Sequence, residues 1–175
     1  MKKQKLYFAH PVNVYDEPIE QQMISLVQAW FPDYEIENPN QPCHQKGYTE
    51  WKEKYGNGMR YFYEIVLPSC KAGCVAMPFL DGLLGAGVAG EVIWYLARNM
   101  RTYLIEPPKL TTIREFNDDE KRLMFEWDKM KDETKEKIIR EDIGNRLVLS
   151  IADTRKRTWQ ILYKTMRKYE KAHFI

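Results

Sequence analysis

Cys74-Val75-Ala76-Met77, then Asp81-Gly82-Leu83-Leu84-Gly85-Ala86-Gly87-Val88-Ala89-Gly90, then Glu91 make up the stretch that decides the fold. Four apolar residues in a row read as a strand buried on both faces. The glycines after it allow a turn whose backbone N–H groups gather at the start of a helix, expected over Glu91 to Asn99. Strand, glycine-rich turn and helix form one unit of an open α/β sheet.

The alternation continues on both sides. Upstream, Lys5-Leu6-Tyr7-Phe8-Ala9 predicts a strand ended by His10-Pro11. Ile19, Met23, Leu26, Val27 and Trp30 recur at helical spacing, with Pro18 in the first turn and Pro32 just past the end. Tyr34 to Glu37 is a second strand, stopped by Asn38-Pro39-Asn40. A polar stretch with Pro42, Gly47, Gly56 and Gly58 follows; at that length it is either a functional loop or holds short helices. Met59 to Cys70 predicts a helix. Downstream, Arg101 to Ile105 is a strand closed by Glu106-Pro107-Pro108, and Thr111 to Phe116 is an ambiguous fifth strand. The order predicts an open parallel sheet with helices on both faces. Leu123, Trp127, Met130, Thr134 and Ile138 continue as a charged helix over 118–143, Gly144-Asn145 as a C-cap, and 150–175 as a final helix. The expected division is an α/β domain over 1–110 and a helical extension over 111–175.

The composition of the 175 residues fits this division: 44% are hydrophobic and 30% charged, which excludes a disordered chain. The 27 Lys+Arg and 25 Asp+Glu leave a net charge of +2, not the basic footprint of a nucleic-acid binder. Residues 1–110 hold 11 basic and 12 acidic side chains, and 111–175 hold 16 and 13, so the excess sits in the extension. That basic end reads either as a solvated helix face or as a surface for an anion. A mean hydropathy of −0.58 leaves no span of about 20 apolar residues for a membrane. The apolar run Leu6 to Ala9 is too short for a signal peptide. Three cysteines without CxxC spacing suggest reduced thiols and a cytoplasmic location.

The glycine-rich segment is the densest chemical signal. Gly85, Gly87 and Gly90 satisfy G-x-G-x-x-G, and Glu106 follows at the end of the next strand, as in a dinucleotide fingerprint. Against that reading, the glycines lie in the third unit, and Pro78 to Leu84 separate them from their strand. Glu91 follows the last glycine, where a helix terminus would favour its ionised form; it is either a reactive carboxylate or a plain first-turn acid. His10 is expected at the same sheet edge, as a phosphate contact or as a loop histidine satisfied by backbone. Cys43-His44 invites a nucleophile or metal reading, but no third ligand is spaced for zinc. Tyr48, Trp51 and Tyr55 could stack on a base or form a satellite cluster.

Lys5 to Ala9, Cys70 to Met77 and Gly87-Val88-Ala89-Gly90-Glu91 together resemble the nucleoside 2-deoxyribosyltransferase-like family, which includes 2'-deoxynucleoside 5'-phosphate N-hydrolases. The resemblance spans roughly residues 5–106 and implies a flavodoxin-like sheet of about five parallel strands. It implies Glu91 as nucleophile and Tyr7 as an aromatic contact to the nucleoside. Gly87 and Ala89, with Gly85 and Gly90 of the same loop, would line sugar or phosphate. Two positions depart from the family: Gly73 stands where many members carry Asp at the start of the third strand, and Gly85 where transferases carry a second Asp. Asp81 is the substitute acid in the loop, or else a turn residue before Gly82, and Glu64 the substitute helix carboxylate. The implied reaction is N-glycosidic cleavage or base exchange, needing no cofactor and no metal, in a homodimer or higher homo-oligomer. The partner is a small nucleoside or nucleotide, with neither membrane nor nucleic-acid polymer. A non-catalytic nucleotide-binding module is the alternative, and an NAD-binding protein the third.

Overall fold

A computed structural model describes residues 3–78, 83–106, 109–127 and 148–149. Its elements in chain order are β1 (Lys5–Ala9), a 3-10 turn (Val12–Val14), α1 (Pro18–Trp30), β2 (Glu35–Glu37) and α2 (Pro42–Tyr55). One helical stretch follows in three parts: α3 (Met59–Tyr61), a π turn (Phe62–Val66) and α4 (Leu67–Ser69). Then come β3 (Cys74–Ala76), β4 (Leu83–Leu84), α5 (Ala86–Leu96), β5 (Thr102–Ile105), β6 (Ile113–Glu115), α6 (Asp118–Trp127) and β7 (Val148–Leu149). Five strands form one sheet in the order β2-β1-β3-β5-β6, while β4 and β7 make a separate parallel pair. This is the expected α/β flavodoxin-like arrangement. Its winding direction reverses between β1 and β3, the topological switch point where such sheets place ligands.

Period-2 alternation sorts the core into two layers. Leu6 and Phe8 of β1 and Val75 of β3 pack on one face with Met23 and Val27 of α1. Tyr7, Ala9, Cys74 and Ala76 pack on the other with Val88, Ala89, Val92 and Tyr95 of α5. Both Cys70 and Cys74 are fully buried in that second layer. The register Tyr7↔Cys74 and Ala9↔Ala76 aligns β1 with β3, and Tyr7↔Glu37 aligns β1 with β2.

Three expectations change, and one open alternative is resolved. The edge strand β6 is antiparallel to β5, with Leu104↔Arg114 in register. A parallel crossover needs a dozen or more residues, and only 106–112 connect the two. The sheet therefore continues past residue 110: Phe116 and Met124 are buried in the α5 layer, and the division expected there falls between two paired strands. The polar stretch after Asn40 is a helix, α2, with Pro42 in its first turn and Gly56 ending it at φ 72°. Its only buried residues are His44 and Gly47, so it lacks the apolar stripe that would have announced it. Residues 148–149 are a strand, whereas the helices expected over 128–143 and 150–175 lie outside the described residues. No helix among the described residues is long and apolar enough to cross a membrane.

Candidate active site

α5 begins at Ala86, five residues before the expected start, with Gly85 extended at its N-cap (φ −59°, ψ 147°). The Ala89 amide already donates to the Gly85 carbonyl at 2.8 Å. Glu91 is thus the sixth residue of the helix, beyond the orphan amides of its first turn. The expected stabilisation of its ionised form by the helix end is absent. Instead Glu91 is 7% exposed and accepts a hydrogen bond from the Tyr7 hydroxyl at 2.8 Å. Burial pushes its carboxyl up to about 8, and the Tyr7 bond offsets only part of that shift.

Tyr7 is fully buried on β1, stacked against Tyr95 with ring centroids 6.3 Å apart. Tyr95 sits one turn after Glu91 and donates its hydroxyl to the Leu67 carbonyl at 3.1 Å. Burial, followed by the Glu91 charge, holds the Tyr7 hydroxyl well above the ordinary phenol range. It therefore keeps its proton and remains a donor. Two residues separated by 84 positions meet because β1 and β3 are neighbours and α5 crosses above them.

The glycines play different parts. An added Cβ at Gly87 would meet nothing within 4 Å among the described residues. Ala89 is 5% exposed and belongs to the core, so it faces the sheet rather than a cradle. An added Cβ at Gly90 would lie 2.6 Å from the Tyr63 hydroxyl. Gly73 stands at φ 108°, and a Cβ there would run into the Arg101 carbonyl oxygen. No side chain fits at that position on this backbone.

The remaining site residues disperse. His10 is 4% exposed and lies on the α1 face, stacked on Phe8 at 4.4 Å between centroids. Its Nδ1 meets the Phe8 carbonyl at 2.9 Å and its Nε2 the Glu20 carboxylate at 3.0 Å, so it is a satisfied core histidine rather than a partner of Glu91. Glu64 is exposed and ion-paired with Arg60 one turn earlier at 2.7 Å. Asp81 lies outside the described residues. Glu106 accepts from Thr112 Oγ1 and from Arg114 Nε, each at 2.8 Å; the acid of the dinucleotide reading clamps the β5–β6 connection. His44 is held by Glu37 at 2.6 Å, and Cys43 is exposed. Tyr48, Trp51 and Tyr55 lie on α2, with the Trp51 and Tyr55 rings 5.0 Å apart. Among the described residues no three His, Cys, Asp or Glu side chains cluster as a metal site would need.

Sequence reasoning missed two tyrosines. Tyr15 follows the 3-10 turn after β1, its ring 5.0 Å from His10. Its hydroxyl is pushed up by burial first, then by the charges of Glu91 and Glu20, which places it within electrostatic reach of both carboxylates. Tyr63 sits in the π turn against the α5 layer. The signal for that turn is Pro68. It lacks an N–H, and its ring clashes with the carbonyl four residues back, so the helix widens just before it. Set beside family models, curated proteins and solved structures, the chain matches none of them.

Proposed function

We propose that this chain cleaves the N-glycosidic bond of a nucleoside or nucleotide, with Glu91 as the nucleophile. The observation that supports this most is the buried Glu91 carboxyl, bound by Tyr7 at 2.8 Å beside the switch point between β1 and β3. Among the described residues nothing crowds Gly87 on that turn, which supports a sugar or phosphate next to it. In the first step the ionised carboxylate forms a bond to C1'. The bond from C1' to the base nitrogen breaks, and its electron pair leaves with the base, which takes up a proton. Water or a second base then attacks C1' and restores the carboxylate. Tyr7 would orient Glu91 through its hydroxyl, and Asp81 is the proposed acid for base departure. With the carboxyl held up to about 8, a minority of molecules are ionised at neutral pH, and under this mechanism only that form attacks C1'.

Binding without turnover is the second reading. It is favoured by Gly73, whose backbone excludes the acid found there in the family. One assay separates the two. The chain is incubated with nucleosides, deoxynucleotides and NAD, and free base is followed by chromatography. Base release that disappears in Glu91→Gln supports the nucleophile. Release that survives Glu91→Gln unchanged overturns it, and tight nucleotide binding with no release favours the second reading. NAD binding lost on substitution of Glu106 would revive the dinucleotide reading.

A further inference from the structure

Gly90 was expected to line the substrate, but its missing side chain is matched by a side chain of the chain itself. The Tyr63 hydroxyl lies 2.6 Å from the place where a Cβ of residue 90 would stand, while the Tyr63 ring carbon that carries it lies 3.9 Å away. A 2.6 Å approach is closer than a methyl group tolerates; 3.9 Å is ordinary contact. Among the described residues, the hydroxyl oxygen alone crowds a side chain at 90. Tyr63 reaches this place through the π turn Phe62–Val66, and insertions of that kind recur at functional sites. Its ring packs against the same layer that holds Tyr7 and Val92. The residue beneath its hydroxyl is the immediate neighbour of Glu91.

We infer that Tyr63 is a positioning residue: its hydroxyl seats in the gap at Gly90 and sets the height of α5 over β1, and with it the reach from Tyr7 to Glu91. The inference rests on Glu91 as the reactive group of the proposed function. It predicts compensation. Gly90→Ala drives a methyl into the Tyr63 oxygen, so that the Tyr63 side chain or α5 has to shift, whereas Tyr63→Phe removes that oxygen and makes room for the methyl.

The test uses the full chain in four forms: wild type, Gly90→Ala, Tyr63→Phe and the double variant. Two readouts are taken, base release and the titration of Glu91 followed by NMR on carboxyl-labelled glutamate, assigned with Glu91→Gln. Gly90→Ala is expected to shift the Glu91 titration and to slow base release by about tenfold, the scale of one overpacked methyl. The double variant is expected to return both readouts to those of Tyr63→Phe. A Gly90→Ala protein with an unchanged Glu91 titration overturns the inference. So does a folded double variant whose titration stays displaced from that of Tyr63→Phe. Should Gly90→Ala alone fail to fold, the double variant against Tyr63→Phe still decides. Because the titration is read without substrate, a wild type that releases no base refutes the proposed function and leaves the positioning inference to be judged separately.

Discussion

Glu91 and Glu20 are both buried, at 7% and 1% exposure, yet their carboxyls move in opposite directions. Among the described residues Glu91 has one hydrogen-bond donor, Tyr7, and burial pushes it up to about 8. At Glu20 burial also acts upward, but it is outweighed by donors from His10, the Asp16 amide, Asn40 and Asn38 at 3.0, 2.8, 3.1 and 3.2 Å. Together they draw that carboxyl down to about 2. Enclosure by itself costs a charge its hydration, and the number of donors decides whether the charge survives. Glu20 joins the loops after β1 and β2 to the start of α1 and is consumed by that structural task. Among the described residues Glu91 receives Tyr7 alone, and a buried carboxyl with so few donors is the kind that the proposed function would use.

The largest effect that could break this contrast is on turnover. Glu91→Gln should lower base release by about a thousandfold or more, measured by single-turnover chromatography. The next test compares stabilities. Glu20→Gln should cost about 3 kcal/mol in urea unfolding at pH 7, because it leaves buried donors facing an amide. Glu91→Gln should instead raise the midpoint at pH 8 to 9. The sign follows from proton linkage. Between about 4.5 and about 8 the folded state holds more protons at Glu91 than the unfolded chain, so stability falls as pH rises through that window. Glu20 works the other way: its contribution is present above about 4.5 and is lost as pH falls toward about 2. Equal signs for the two glutamine variants at pH 8 would show that donors do not separate the two sites.

Smaller effects sharpen the comparison further. Gly73→Ala, strained at φ 108° and obstructed by Arg101, should cost about 2 kcal/mol or more by thermal unfolding. Its carbonyl accepts from the Tyr7 amide at 3.0 Å, so loss here disturbs the floor of the Glu91 site. Under the proposed mechanism kcat/KM should rise with a midpoint near pH 8 as the Glu91 carboxyl ionises, levelling off only above about 9. A flat profile from pH 6 to 9 would remove Glu91 from the rate equation. Gly87→Ala should leave stability unchanged or raise it by up to about 1 kcal/mol, since helix propensity improves and the space is open. Nucleotide affinity measured by calorimetry should nevertheless fall; unaltered affinity would place the ligand away from the first turn of α5.

Much of the sheet was legible in local pattern. Lys5 to Ala9, Cys74 to Met77 and Arg101 to Ile105 carry unbroken apolar runs, and their strands lie within a residue or two of those bounds. α1 was equally visible, although Trp30 is 47% exposed and Glu20 is the residue buried in its place. Periodicity could not anticipate that exchange, because the donors holding Glu20 arrive from Asn38 and Asn40, across the chain. α2 was hidden for a related reason: Gly47 lies mid-helix because the Tyr61 ring packs on it, a contact that no local pattern records.

The sequence by itself determined the strand and helix alternation, the glycine-rich entry to α5 and the candidacy of Glu91, since these depend on residue type and near-neighbour spacing. Tertiary structure alone decided that Tyr7 meets Glu91, that His10 belongs to Glu20 and that Gly90 accommodates Tyr63. It also reversed the protonation expected for Glu91, because the charge state of a carboxyl depends on how many donors surround it and how little water reaches it. Those quantities exist only once strands 60 to 70 residues apart in the chain lie side by side.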